Sequence, residues 1–187
     1  MRTVLEPTPV RAQPADEAEQ VTQALPGEPL AVEGEREGWV RIRTAYDYPG
    51  WLLAGALGGD VDPNWLGERG GDPVAEARTY LGSPYLWGGM TRDGIDCSGL
   101  VHMAHRRLGL LVPRDAAQQE EAGLELAEAE LRPGDLITYG EEAADHVAFW
   151  LGGGRILHAT ERDGVHGVVE EVEAEQLRSR RRRLVRL

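Results

Sequence analysis

The side chain best suited to nucleophilic chemistry is the thiol of Cys97, the only cysteine in a chain of 187 residues. It lies in the segment Asp96-Cys97-Ser98-Gly99-Leu100, where Asp96 is a suitable helix N-cap. The amides of a first helical turn stabilise a thiolate, which is the reactive form of cysteine. A lone cysteine is otherwise usually a small buried hydrophobe. We interpret Cys97 as a nucleophile at the first position of a helix, with its own amide as an oxyanion donor.

A base for this thiol is predicted in a β-hairpin further along the chain. His146 and His158 lie in two apolar segments separated by the turn sequence Gly152-Gly153-Gly154. If Leu151 pairs with Arg155, the two histidines are diagonal neighbours on one face, about 7–8 Å apart at the backbone. Thiol catalysis needs a base and a group that orients it. We predict that His146 is the base and His158 its orienter. Whether His146 removes the thiol proton or forms an ion pair with a thiolate stays open.

The helix after Cys97 carries a second set of polar residues. Its apolar positions follow at near-helical spacing and are predicted to be buried. We expect the polar residues to face solvent, and these are His102, His105, Arg106 and Arg107. The i, i+3 spacing of the two histidines would allow a metal pair, but no cysteine or carboxylate partner has suitable spacing. We therefore predict no metal site and no cofactor.

The first sixty residues alternate short apolar segments with Pro and Gly turns, which is typical of a small β-barrel. Trp39-Val40-Arg41-Ile42-Arg43 has the alternation of a half-buried strand, and core packing is the favoured role of Trp39 and Trp51. Residues 61–72 are rich in Gly, Asp and Pro and are predicted to be a linker, pinned by Trp65 and Leu66. The expected domains are therefore 1–60 and 73–187.

The second domain is expected to begin with a helix at Asp72-Pro73 and to contain strands towards its end. The acidic stretch 116–130 is predicted to be a partly helical, solvated face. Leu136-Ile137-Thr138-Tyr139 has the composition of a strand. The arginine-rich tail ends in Leu184-Val185-Arg186-Leu187, which favours a last strand with solvated arginines over a basic patch for an anionic partner.

Composition excludes some classes of function. A formal net charge of −12 disfavours non-specific nucleic-acid binding. No stretch has the roughly 18 apolar residues of a membrane span, and the N-terminus lacks an apolar signal core. We expect a cytoplasmic protein, or an exported one if a signal has been removed, with no membrane partner. A monomer is expected.

Several motifs together resemble one known family. The matching segments are Tyr85-Leu86-Trp87-Gly88-Gly89, Asp96-Cys97-Ser98-Gly99-Leu100, Pro113-Arg114-Asp115, Arg132-Pro133-Gly134-Asp135-Leu136, His146-Val147 and His158-Ala159. They resemble the NlpC-type cell-wall cysteine peptidases of the papain-like superfamily. Upstream, Gly38-Trp39-Val40 and Tyr48-Pro49-Gly50-Trp51-Leu52 resemble bacterial SH3-like domains. The resemblance implies an α+β protein in which an N-terminal SH3-like β-barrel precedes a circularly permuted papain-like domain with an antiparallel sheet.

The function implied by this resemblance is hydrolysis of peptidoglycan stem peptides between γ-D-glutamate and a diamino acid of the diaminopimelate type. Members with an SH3-like domain resemble enzymes that require a free N-terminal L-Ala. The lack of a signal segment in the sequence favours a role in murein peptide recycling over attack on intact wall. Two alternatives stay open. One is a peptidoglycan amidase or acyltransferase with the same Cys-His-His site, and the other is a non-catalytic cell-wall-binding protein.

The resemblance also implies substrate-binding residues around Cys97. The ammonium group of L-Ala is expected to contact Asp96 and Tyr85 from the peptidase domain and Glu19 and Tyr48 from the SH3-like domain. For Glu19, a simple solvated acid is an equal alternative. The γ-D-glutamate is expected to contact a second set, consisting of Ser98, Arg114 and Asp115. Some relatives have Ser where this chain has Ala116, so any hydroxyl contact from that position is missing.

Overall fold

Short strands fill the N-terminal third of the chain, as the alternating apolar segments predict. The structure is a computed structural model and describes residues 1–162 and 164–187. The N-terminal strands are β1 (Thr8–Arg11), β2 (Gln20–Ala24), β3 (Ala31–Arg36), β4 (Trp39–Arg43) and β5 (Pro49–Leu53). They form an antiparallel sheet in the order β2-β1-β5-β4-β3, followed by a 3-10 turn at Ala54–Ala56.

The hydrophobic core of this sheet is formed by side chains from all along the N-terminal region, including Val10, Leu30 and Leu52. Strand β4 has the predicted alternation, since Val40 and Ile42 are buried while the side chain between them is exposed. Alternating strands place every second residue on one face, which explains the match. Burial on one face fixes the register of such a sheet.

The remainder of the chain combines helices with a second antiparallel sheet, which confirms the α+β class. Its elements are α1 (Pro73–Arg78), β6 (Met90–Thr91), β7 (Gly94–Ile95), α2 (Cys97–Arg107), α3 (Ala116–Ala122), β8 (Leu124–Glu125), β9 (Leu136–Tyr139), β10 (His146–Gly152), β11 (Arg155–Arg162), β12 (Val165–Val172), α4 (Glu175–Arg178) and β13 (Arg181–Arg186). A 3-10 turn lies at Glu128–Glu130. The large sheet has the order β12-β11-β10-β9-β13-β8, and β6 pairs with β7. The domain boundaries at residues 60 and 73 stay predictions.

The predicted hairpin is β10–β11, and its register is nearly the expected one. Phe149 pairs with Leu157 and Trp150 with Ile156, as the predicted register requires. At the turn, however, Arg155 pairs with Gly152 instead of Leu151, because a bulge shifts the register there. Since the bulge lies at the turn, it leaves the predicted pairing unchanged where the two strands continue towards the histidines.

The expectation that the polar residues of α2 face solvent is wrong for three of them. His102, His105 and Arg106 are all buried. The ring of His102 packs edge-on against Tyr46 of the N-terminal region, with centroids 4.4 Å apart, and His105 stacks on Phe149. The helix is therefore covered on two sides, by the large sheet and by the N-terminal sheet. The apolar periodicity of α2 indicates the face that packs on the large sheet. It does not indicate the contact with the N-terminal sheet.

Arg106 shows how firmly the N-terminal region is attached to α2. Its guanidinium donates to the buried carboxylate of Glu28 at 2.9 Å and lies 4.9 Å above the ring of Trp65. The amide of Gly67 donates to the carbonyl of Arg106 at 3.1 Å, and that of Asp62 donates to Gly27 at 3.0 Å. The predicted linker is thus held against both sheets, with Trp65 as its main contact.

The acidic stretch and the tail are also less solvated than predicted. Gln119 and Glu120 in α3 are buried, and Glu120 accepts hydrogen bonds from Arg182 and from Thr138. The predicted last strand, β13, is confirmed. Several of its arginines form ion pairs with acidic side chains, as Arg186 does with Asp135 at 2.6 Å. Among the residues that the structure describes, no helix is long and apolar enough to cross a membrane.

Candidate active site

The start of α2 is built as its sequence predicts. Asp96 is the N-cap residue, and its carboxylate accepts from the amide of Gly99 at 2.6 Å, which makes Cys97 the first residue of the helix. The Tyr85–Gly89 loop packs against this turn. A Cβ at Gly99 would collide with the carbonyl oxygen of Gly89, so only glycine permits this approach. Cys97 is thereby held at a junction between the loop, the helix and the sheet.

Beneath Cys97 lies a buried ion pair between Asp96 and Arg114, which is only 1% exposed. The guanidinium donates to both carboxylate oxygens at 2.9 and 2.8 Å, and Asp96 also accepts from the amide of Gly88 at 2.7 Å. Burial alone would lower the pKa of Arg114, but the charge and hydrogen bonds of Asp96 outweigh it and raise that pKa. Arg114 further donates to Thr22 of the N-terminal sheet at 3.1 Å.

This pairing corrects one of the predicted substrate contacts. Arg114 is too deeply buried to line the site, and it supports Asp96 and Ser98 from behind. Both oxygens of Asp96 accept hydrogen bonds from the protein, and Asp96 also borders the cavity beside Cys97. Its contact with the ammonium group stays a prediction.

The structure brings His146 and His158 together at the start of the hairpin. Nε2 of His146 lies 2.7 Å from Nδ1 of His158. The amide of Val147, the residue after His146, donates to the Cys97 thiol, so the first residues of β10 lie against the nucleophile. The predicted cysteine and histidines therefore occupy one site, contributed by α2, β10 and β11. Their catalytic roles stay predictions.

Burial makes the neutral forms of these groups the stable ones. Burial, together with the charge of Asp96, raises the pKa of the Cys97 thiol to about 12. Burial and then the neighbouring His158 lower the pKa of His146 to about 3, and burial followed by Arg162 lowers that of His158 to about 4. At neutral pH the site therefore holds a thiol and neutral imidazoles. This favours proton removal by His146 over a preformed ion pair.

A prediction follows for the reactivity of Cys97 in the free protein. Its alkylation rate with iodoacetamide is expected to rise about tenfold per pH unit from pH 6 to pH 9, because the thiolate fraction does so below a raised pKa. The label is unambiguous, since the chain has one cysteine. A Cys97→Ser variant is the blank. A rate that is already constant above about pH 5 would show a thiolate–imidazolium pair instead.

Cys97 borders a cavity of about 290 Å³ between the two sheets. The N-terminal region contributes Glu19, which precedes β2, and Tyr48, which lies in the β4–β5 turn. The Tyr48 hydroxyl donates to Asp115 at 2.9 Å, and burial raises the pKa of the Asp115 carboxyl, while Tyr48 and Arg114 lower it. Two carboxylates and a hydroxyl near a nucleophile form a suitable environment for a cation.

Tyr85 borders a second cavity of about 590 Å³, together with His146 and His158. Burial, followed by the charges of Cys97 and Asp96, raises the pKa of its hydroxyl, so Tyr85 also lies near the nucleophile. Its contact with the ammonium group stays a prediction. Asp115, which the resemblance places at the γ-D-glutamate, is the acid that pairs with Tyr48. Ser98 lines the smaller cavity beside Cys97.

Two residues at the site carried no predicted role. Trp87 borders both cavities, is 58% exposed, and its indole donates to Glu19 at 2.8 Å. Its place in the Tyr-Leu-Trp-Gly-Gly segment is the one signal that could have indicated it. Glu171 accepts from Nε2 of His158 at 3.0 Å. Glu170 is adjacent and equally acidic, so the sequence alone does not favour either one.

The chain matches two family profiles. The NlpC/P60 family profile matches residues 82–185, which is more than half of the chain and includes Cys97, His146 and His158. A profile described as a bacterial dipeptidyl-peptidase SH3 domain matches residues 10–57, which include Glu19 and Tyr48. Residues from both matched segments thus line the smaller cavity.

Individual relatives agree with these matches. A "gamma-D-glutamyl-L-lysine dipeptidyl-peptidase" of Bacillus subtilis is 37% identical over 92 residues, which is 47% of this chain and 31% of that protein. The fold resembles that of an NlpC/P60 family protein from Bacillus cereus, with a TM-score of 0.60 and 21% identity over 99% of this chain and 62% of that one. It also resembles the peptidoglycan hydrolase RipB of Mycobacterium tuberculosis, with a TM-score of 0.54 and 31% identity over 61% of this chain and 62% of that one.

Proposed function

Because this chain belongs to the NlpC/P60 family, we propose that it is a cysteine endopeptidase acting on peptidoglycan stem peptides with a free N-terminal L-Ala. It hydrolyses the bond between γ-D-glutamate and a diamino acid of the diaminopimelate type. The name of the Bacillus subtilis relative supports a bond of this kind. The shared segment is about a third of that protein's length, so the activity in its name is only proposed for this chain.

The observation that carries the proposal is the hydrogen bond between Tyr48 and Asp115 in the cavity beside Cys97. A dipeptide whose scissile carbonyl lies at Cys97 would extend its amine towards this pair and Glu19. An ammonium group can donate to both acids and to the hydroxyl oxygen. The Asp115 carboxyl, whose pKa burial raises, gains a cationic partner.

A requirement for a free amine also favours released peptides over intact peptidoglycan as the substrate. In intact peptidoglycan the L-Ala nitrogen forms an amide with the lactyl group of muramic acid, and it carries no charge. The acids of this cavity would then face a neutral amide and a bulky sugar. The proposed substrate is therefore a released peptide, which supports a role in murein peptide recycling.

The chemistry follows from the protonation states of the site. His146 accepts the thiol proton as the sulfur of Cys97 attacks the γ-carbonyl carbon of D-glutamate. The carbonyl oxygen becomes an oxyanion, and the Cys97 amide at the first position of α2 is its proposed donor. His146 then protonates the departing amine of the diamino acid, leaving a thioester. Water hydrolyses this thioester with His146 as base again.

Product analysis tests this proposal. The protein is incubated with L-Ala-γ-D-Glu-meso-diaminopimelate, and the products are identified by mass spectrometry. The expected products are the dipeptide L-Ala-γ-D-Glu and free diaminopimelate. Release of L-Ala alone, or cleavage only of the muramoyl amide in intact sacculi, would contradict it and favour the amidase alternative. An unchanged tripeptide with retention on sacculi would favour a wall-binding protein.

A further inference from the structure

The hydrogen-bond chain at the active site does not end at His158. In the β11–β12 pairing His158 is opposite Val169, so Glu171 lies two residues further along the same face as a diagonal neighbour. Its Oε1 accepts from Nε2 of His158 at 3.0 Å, and its Oε2 pairs with the guanidinium of Arg162. Glu171 thus connects the buried histidines to a cation at the edge of the larger cavity.

The donor and the acceptor of each hydrogen bond between His146, His158 and Glu171 follow from the state of Glu171. A carboxylate paired with arginine has no proton to donate, so it only accepts. The proton between Glu171 and His158 must therefore lie on Nε2 of His158. A neutral His158 then has a lone pair on Nδ1, which accepts from Nε2–H of His146. His146 is left with its lone pair on Nδ1, the nitrogen that the pairing with His158 does not use.

This tautomer is the one that a general base requires. A neutral imidazole can take up a proton only on the nitrogen that has the lone pair. If Nε2 of His146 carried the lone pair, that nitrogen would face His158 and no acceptor would be left for the thiol. The carboxylate at the far end also favours the positive charge that develops along the chain as His146 becomes protonated.

We propose that Glu171 is a positioning residue that fixes the tautomers of His158 and His146 for proton transfer from Cys97. The effect of Glu171 on turnover rests on the proposed function. Its effect on the histidine tautomers does not, because these are a property of the free protein. Arg162 supports Glu171 by holding its second oxygen.

The test uses a Glu171→Gln variant of the full chain. The amide of glutamine can present either a donor or an acceptor to His158, so the carboxylate no longer selects one tautomer. We expect kcat for L-Ala-γ-D-Glu-meso-diaminopimelate to fall by at least about tenfold, with KM nearly unchanged. In nitrogen-15 NMR of the free protein, His158 and His146 should change from Nε2–H tautomers to a mixture.

Glu170→Gln is the matched control. Glu170 is the adjacent residue of β12, and its carboxylate pairs with Arg78 and Arg155 instead of a histidine. We expect this variant to keep both the tautomers and kcat of the parent protein. It removes the same charge from the same strand, so it controls for net charge and for strand stability.

The outcomes separate this inference from the proposed function. Unchanged histidine tautomers in Glu171→Gln, or an equal loss of kcat in Glu170→Gln, would overturn the positioning role. A rise in KM with kcat unchanged would instead assign Glu171 to substrate contact in the larger cavity, which also overturns it. If the parent protein does not cleave the tripeptide, the proposed function fails, and the NMR result still decides whether Glu171 fixes the tautomers.

Discussion

Replacement of Cys97 by Ala is expected to lower kcat/KM for L-Ala-γ-D-Glu-meso-diaminopimelate by roughly 10⁴-fold or more. The variant loses the only sulfur nucleophile of the chain. No thioester can form, and His146 has no proton to take up. The remaining rate would come from substrate positioning and the helix amides, which assist direct attack by water only weakly. Steady-state kinetics with mass-spectrometric detection of the dipeptide measures this loss.

Binding provides the control for this variant. The cavity formed by Glu19, Tyr48 and Asp115 does not depend on the thiol. Calorimetric titration of Cys97→Ala with the tripeptide is therefore expected to show an affinity similar to the KM-derived value of the parent. Turnover that survives in Cys97→Ala would contradict the mechanism. Loss of binding together with turnover would show that the substitution has disturbed the fold.

Replacement of Arg114 by Met is expected to destabilise the protein by about 3–5 kcal/mol, because it leaves the charge of Asp96 buried without its partner. Arg114 is almost fully enclosed and donates to Asp96, Ser98 and Thr22. Its loss should also disturb the N-cap that positions Cys97, since Asp96 holds both Gly88 and Gly99. Urea unfolding at pH 7 gives the free energy of unfolding.

An exposed arginine is the matched control for Arg114. Arg43 also pairs with carboxylates, Glu33 and Asp47, but its side chain is 36% exposed. Arg43→Met is expected to cost at most about 1 kcal/mol, because solvent screens such pairs. A double variant that adds Asp96→Asn to Arg114→Met should recover part of the stability, since no buried charge remains. A loss below about 1 kcal/mol for Arg114→Met alone would contradict the structural role of this pair.

Local signals in the sequence are sufficient for the centre of the site. A capping residue, a cysteine and a set of helically spaced apolar residues specify the start of α2, and the structure has this helix start. A turn of glycines between two apolar segments specifies the hairpin. Because alternate residues of a strand face the same side, its register places His146 and His158 on one face. These features depend on residues that are close in sequence or on one strand pairing.

Features that depend on contacts between distant segments could not be predicted in the same way. The sequence does not show that the N-terminal sheet covers α2, so it predicts His102 and Arg106 in solvent, whereas both are buried. Nor does it show that Arg114 donates to both oxygens of Asp96, or that Tyr48 pairs with Asp115. Glu170 and Glu171 are adjacent and equally acidic, and only the strand register shows that Glu171 lies on the same face of the sheet as His158.

Residues from both family-matched segments, 10–57 and 82–185, line the pocket that we propose recognises a free N-terminal amine beside Cys97. The most direct measurement is the ratio of kcat/KM for L-Ala-γ-D-Glu-meso-diaminopimelate to that for its N-acetylated form. We expect a ratio of about 100 or more, because acetylation removes the charge and leaves the cavity acids without a partner. Equal values for the two peptides would contradict recognition of the free amine by this pocket.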